Sequence, residues 1–131
     1  HLGAWLSFGG YVQLSADGLA AGCGMYQLEP DQLERYRRAV ADERTGAELV
    51  ALIDKLGVDV HGHGSLKTAP RGYPKDHPRA ELLRHKGLTT WKEWPPAPWL
   101  GTAAAKTRIV EFLRASRPLR EWLDDQVRAA P

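Results

Sequence analysis

The spacing of apolar residues switches repeatedly between strand-like alternation and helical spacing, and each switch predicts an element. In "GGYVQLSADGLAAGCGMYQL", Tyr11, Val12 and Leu14 form a β-prone run, Ala16-Asp17-Gly18 supplies a turn, and Leu19 to Leu28 returns. That is the signature of an antiparallel hairpin. Gly9, Gly10, Gly22 and Gly24 are poor strand formers and mark bulges or close approach by a ligand or another backbone, with packing against a helix the simplest cause. "EPDQLERYRRAV" puts Pro30 at a first helical position, then spaces Leu33, Tyr36 or Arg37, and Val40 along one face. In "TGAELVALIDKLG", Thr45 and Glu48 have capping-box spacing, Leu49, Leu52, Ile53 and Leu56 make the stripe, and Gly57 stands where a helix stops.

The second half of the chain is less regular. "VDVHGHGSLK" alternates and predicts a short strand, whereas "TAPRGYPKDHP" cannot be regular, because proline fixes φ and removes a donor. Pro78 opens a helix through Leu82 and Leu83 that ends near Gly87, with Asp76 as its cap, and "LTTWKEW" predicts a further strand before "PPAPW" breaks the pattern. From Thr102 onward, Ile109, Phe112 and Leu113 form one apolar face and Leu119, Trp122, Leu123 and Val127 another. The interruption at Ser116-Arg117-Pro118 predicts two helices or one kinked helix. The expected fold class is α+β: an antiparallel sheet nucleated by the hairpin over residues 5–28, covered on one face by amphipathic helices over 30–56 and 102–129.

Composition agrees with a folded domain: 131 residues, 43% hydrophobic and 26% charged, are enough for one core without covalent staples. Residues 1–131 read as a single domain. Because the first residue is not methionine, the natural protein is expected to carry an N-terminal segment before His1. The lone Cys23 cannot form an intramolecular disulfide and fits a buried apolar position. With no signal peptide and no apolar run of bilayer length, the expected location is the cytoplasm, with no membrane partner.

Net charge is only +2, but it is unevenly spread. Between 67 and 86, Lys67, Arg71, Lys75, Arg79, Arg84 and Lys86 face only Asp76 and Glu81. A local excess of that kind suits a small anion or simply a solvated face. Nucleic acid is disfavoured as a partner, although Trp91, Trp94 and Trp99 interleave with Lys92, because the whole domain is weakly charged and shows no nucleic-acid motif.

The stretch "LKTAPRGYPKDHPRAELLRHKGL", preceded by "GGYVQLSADGLAAGCGMYQLEPDQLERYRRAV", closely resembles an uncharacterised family designated domain of unknown function 2461. The specific part is Leu66-Lys67, Ala69-Pro70-Arg71-Gly72-Tyr73 and Lys75-Asp76-His77-Pro78, followed by Leu82-Leu83 and Lys86. The family has no assigned activity, so the resemblance implies no catalytic residues. It implies longer members, with helices and a strand rich in Arg, Asp and Lys leading into the position of His1, so that this chain matches the carboxyl-terminal part. His61-Gly62-His63 is not part of that pattern.

The candidate site is therefore the basic Pro/Gly loop, with Lys67, Arg71, Lys75, His77 and Lys86 as ligand-binding residues for a phosphate- or carboxylate-bearing small molecule. Arg71 offers a planar fork, lysines supply point charge, and the helix opening near Pro78 would present N–H groups. The competing reading has Arg71 and Lys75 paired with acids, bracing the loop. Two further alternatives stand: an enzyme using Asp76 and His77 beside the loop, with Ser65 as a nucleophile, and a structural or protein-interaction module without a small-molecule site. His61, His63, His77 and His85 lack the spacing of a metal motif, and neither a metal nor a cofactor is expected.

Overall fold

The computed structural model describes residues 2–6 and 9–128. His1, where the upstream segment was expected to join, lies outside the described residues, as do Ser7 and Phe8 of the expected sheet region and position 129 of the expected helix. The predicted hairpin is present as β2 (Gly10–Ser15) and β3 (Gly18–Met25), paired from Gly10↔Cys23 to Ser15↔Gly18. β1 (Leu2–Trp5) adds to the outer side of β2, while β5 (Leu88–Trp94) and then β4 (Asp59–Gly62) add to β3. The result is one five-stranded antiparallel sheet in the order β1-β2-β3-β5-β4. The α+β class expected from the hydrophobic pattern is therefore the class observed.

Alternation along the central strand decides which face is covered. Ala21 and Cys23 pack with Phe112, so the odd positions of β3 face the helices and Ala20, Gly22 and Gly24 face away. The covering element is α4 (Ala103–Leu123), which lies across β3 and β5. A buried polar tie fastens it: Thr90 and Ser116 hydroxyls meet at 2.8 Å, one donating to the other, with Cys23 O in reach of Thr90 and Phe112 O in reach of Ser116 for the remaining hydrogen. α1 (Pro30–Ala41) and α2 (Glu43–Lys55) pack against each other, α1 also against the turn Asp124–Arg128 and α2 against α4. Their buried residues Tyr36, Val40 and Leu49 join Met25, Leu88, Leu119, Trp122 and Leu123 in the main core. Tyr36 is fully buried, and its hydroxyl donates to Leu82 O at 2.7 Å.

Local chemistry departs from the sequence expectations at several points. Thr45 does not cap α2: Asp42 does, accepting from the N–H groups of Arg44 and Thr45, while the Thr45 hydroxyl donates back to Ala39 O. The returning strand ends at Met25, short of Leu28, whose N–H bonds Lys86 O instead. The helix after Pro78 is only α3 (Ala80–Leu83). α4 runs unbroken through Pro118, because Pro118 and Arg114 are exposed and the carbonyl that proline leaves without a donor can turn to water. A π-helical turn, Asp124–Arg128, follows it. Among the described residues no helix is long and apolar enough to cross a membrane.

Candidate functional site: the basic loop and the uncovered sheet face

β4 does not simply stop at Gly62. His63 N–H bonds Gly87 O, Lys86 N–H bonds His63 O and Leu66 N–H bonds Arg84 O, so the ladder with the chain before β5 continues to Leu66. Beyond it the chain folds into two hydrogen-bonded turns. Tyr73 N–H bonds Pro70 O, with Gly72 at φ 92°, the positive φ that a type II turn requires at its third residue. His77 N–H then bonds Pro74 O. Pro70 is buried and Tyr73 packs on the main core, so the loop is anchored at its middle as well as at its ends.

On this scaffold Lys67, Arg71, Lys75 and Lys86 are exposed and His77 is half-buried. The described ion pairs are all i,i+4 pairs on α1, α2 or the C-terminal helix, and none includes these cations. Bracing by Arg71–acid or Lys75–acid pairs therefore finds no support among the described residues. Two other cations of the stretch have different surroundings. Arg79 donates to Val40 O at 2.6 Å and Ala41 O at 3.1 Å, closing the end of α1, so it is a structural residue. Arg84 buries its Nε without a hydrogen-bond partner among the described residues.

The expected helix N-terminus offers nothing to an anion. Arg79 N–H donates to His77 Nδ1 at 3.0 Å and Ala80 N–H to His77 O, so these amides are taken, and α3 is a single turn. The cap expected of Asp76 is not formed: Asp76 is exposed, α3 has no side-chain cap, and His77 accepts from the Arg79 N–H just ahead of it. With Nδ1 accepting, His77 carries its proton on Nε2 and can donate outward.

Ser65 pairs with a histidine, but it is His85: Oγ and Nδ1 are 2.6 Å apart. The His85 ring lies over Gly62 so closely that a Cβ there would overlap it. Burial pushes the His85 imidazole below its ordinary pKa, against the opposing charge of Glu81. His63, whose Nε2 is 2.8 Å from the Thr89 hydroxyl, is lowered in the same direction, by burial first and by His61 second. A neutral imidazole beside a hydroxyl is half of a nucleophile–base arrangement, yet His85 Nε2 has no orienting partner among the described residues. Among the described residues, no three His, Cys, Asp or Glu side chains gather to hold a metal.

The two depressed histidines have a consequence for stability. Both are favoured neutral in the fold and revert to ordinary behaviour when unfolded, so their contribution is present above the usual value of 6.5 and is lost as pH falls through their lower folded values. Urea midpoints measured from pH 7.5 down to 5 should fall, and His85→Gln should flatten that slope. An unchanged slope in the variant would contradict the burial account.

On the face away from the helices, Gly22 and Gly24 carry no side chain, yet both are buried. The cause is not a helix, as the glycine pattern had suggested. It is the Trp91 ring, whose nearest atom is 2.9 Å from where a Gly22 Cβ would stand, and the β5 backbone beside Gly24. Trp91 is held by its Nε1 donating to Glu93 at 2.8 Å. What remains is a hollow of about 190 Å³, floored by Gly22 and Gly24 and walled by Tyr11, Trp91, Tyr26 and the His63–Thr89 pair. The Tyr26 and His63 rings lie 4.4 Å apart at its rim. Cys23 borders it by position, but its thiol is buried on the helix side, and burial raises its pKa. The three tryptophans do not form one surface: Trp91 faces this hollow, Trp94 packs edge-on to Phe112 across the sheet, and Trp99 lies under Arg108.

The family described as "Conserved hypothetical protein (DUF2461)" matches residues 2–122. No curated protein and no solved structure matches the chain.

Proposed function

Because the chain belongs to this family of conserved hypothetical proteins, whose description names no activity, we propose a function from the residues themselves: a domain that binds a small phosphate- or carboxylate-bearing molecule through the basic loop. The observation that carries the reading is a rigid loop whose cations are not neutralised. Lys67, Arg71, Lys75 and Lys86 project from a backbone pinned by Pro70, Tyr73 and the His63–Lys86 ladder, and no acidic side chain pairs with them among the described residues. His77 Nε2–H can add a further donor. An anion there gains charge-assisted hydrogen bonds without first breaking a protein ion pair.

The enzyme alternative built on Asp76 and His77 loses support, since Asp76 is exposed and His77 is engaged by the Arg79 amide. Within the proposal the domain works in the cytoplasm, where a single buried Cys23 needs no partner, and nucleic acid is not its ligand.

The test is Arg71→Lys. It keeps the charge but removes the planar fork, so affinity for the best anion from a screen of inorganic phosphate, nucleotides and dicarboxylates should fall by more than about tenfold, charged hydrogen bonds being worth roughly 1.5–3 kcal/mol. The melting temperature without ligand should not move, as Arg71 is exposed. If the variant melts lower and no anion stabilises the parent more than the variant, Arg71 is structural and the proposal fails.

A further inference from the structure

We propose that the hollow on the uncovered face of the sheet binds a small, uncharged aromatic molecule, its ring between Tyr11 and Trp91 and one polar substituent toward the His63–Thr89 pair.

The floor is unusual for a central strand. β3 is hydrogen-bonded on both sides, yet its outward positions past Ala20 are glycines, which weaken a strand because they pack nothing and lose more backbone entropy. Among the described residues, flanking side chains fill the space they leave only in part. Tyr11 leans the other way, its hydroxyl over Gly3, and Trp91 is tied by Glu93 with its ring edge at Gly22. The Trp91 ring edge covers Gly22, and both rings line the hollow that remains beside it.

Size and chemistry narrow the occupant. At about 190 Å³ the hollow exceeds the ~150 Å³ apolar cavity that admits benzene, so one six-membered ring with short substituents, or an indole-sized bicycle, fits. Among the described residues, no Lys, Arg, Asp or Glu side chain lines it. A charged ligand would give up its hydration without a counter-charge, whereas an uncharged aromatic ring meets aromatic faces and edges. At one end the neutral His63 imidazole and the Thr89 hydroxyl already share a hydrogen bond and can extend it to a ligand hydroxyl or N–H. Tyr26, 59% exposed, stands at the mouth, where its ring can close on a bound molecule at little cost to the fold.

The experiment is an amide-resolved NMR titration of the full natural chain with phenol and indole, and with benzoate as the anionic counterpart. Saturable shifts are expected at Gly22, Gly24 and Thr89 with phenol and indole, at least tenfold weaker with benzoate. Thr89→Leu, which fills the hollow, should abolish them. Tyr26→Ala, which removes an exposed ring, should weaken binding several-fold with an unchanged melting temperature, so the proposal stays testable if Thr89→Leu folds poorly. No saturable shift up to the solubility of indole would overturn it, as would equal binding by Tyr26→Ala and the parent. So would cross-relaxation from Gly22 and Gly24 to another polypeptide segment lying on that face.

Discussion

Replacing Trp122 with alanine is expected to remove about 3–5 kcal/mol of stability, the range for deleting a buried aromatic side chain. Trp122 is 5% exposed and joins three helices. It belongs to α4, meets Tyr36 of α1 edge-on at 6.2 Å, and donates its indole N–H to Thr45 O of α2 at 3.0 Å. Alanine would leave a cavity in the main core and take away the indole donor that ties α4 to Thr45 O. Against a typical total of about 5–15 kcal/mol, such a loss approaches unfolding. Trp122→Phe keeps a ring against Tyr36 but loses the hydrogen bond, worth about 1–3 kcal/mol, and part of the indole's bulk, so its cost should fall between that figure and the alanine loss. Urea denaturation with equal slopes measures both. A Trp122→Ala cost below about 1 kcal/mol would mean that this residue does not hold α1 and α2 to α4.

Trp122 also shows where sequence reading works. Its place on an apolar face with Leu119, Leu123 and Val127 was legible from spacing, as were the stripe of α2 and the hairpin turn, because burial in each element repeats with the backbone period. What spacing could not show is the Trp122–Thr45 hydrogen bond, which exists only once α4 crosses α2. The same limit misplaced the α2 cap. Thr45 and Glu48 have capping-box spacing, but Asp42 stands closer to the point where the chain leaves α1, and its carboxylate takes the free N–H groups first.

The candidate site divides in the same way. The basic loop was conspicuous in composition, since prolines, glycines and cations crowd a short stretch. That Arg79 closes α1 rather than serving the loop depends on Val40 and Ala41 carbonyls distant in sequence. The Ser65–His85 pair and the hollow were hidden for a related reason. Each is made by strand register, through the Leu66–Arg84 ladder in one case and the Gly22↔Trp91 and Gly24↔Thr89 pairs in the other. The glycines of β3 were the one available signal, and they pointed to a close approach without naming what approaches.

Gly24→Ala should be as damaging as the loss of Trp122, and for a reason unrelated to cavities. Gly24 has φ 138°, a backbone region that a residue with a Cβ enters only under strain of about 1–3 kcal/mol. Its Cβ would also overlap Leu88 O and stand 2.9 Å from Thr89 Cα. Both are backbone atoms of β5, and neither can swing aside as a side chain would. Relief requires opening the Met25↔Leu88 and Gly24↔Thr89 pairs, which hold β3 to β5 at the centre of the sheet. Gly72 is the control: at φ 92° it has nothing within 4 Å of a built Cβ, so Gly72→Ala meets only the strain. In parallel urea titrations Gly72→Ala should cost about 1–3 kcal/mol and Gly24→Ala clearly more, with Gly24→Ala expressing mostly as unfolded or aggregated protein. Equal costs at the two positions would show that the β3–β5 approach is looser than the structure has it, and the walls of the hollow would then not be held at the spacing on which aromatic binding depends.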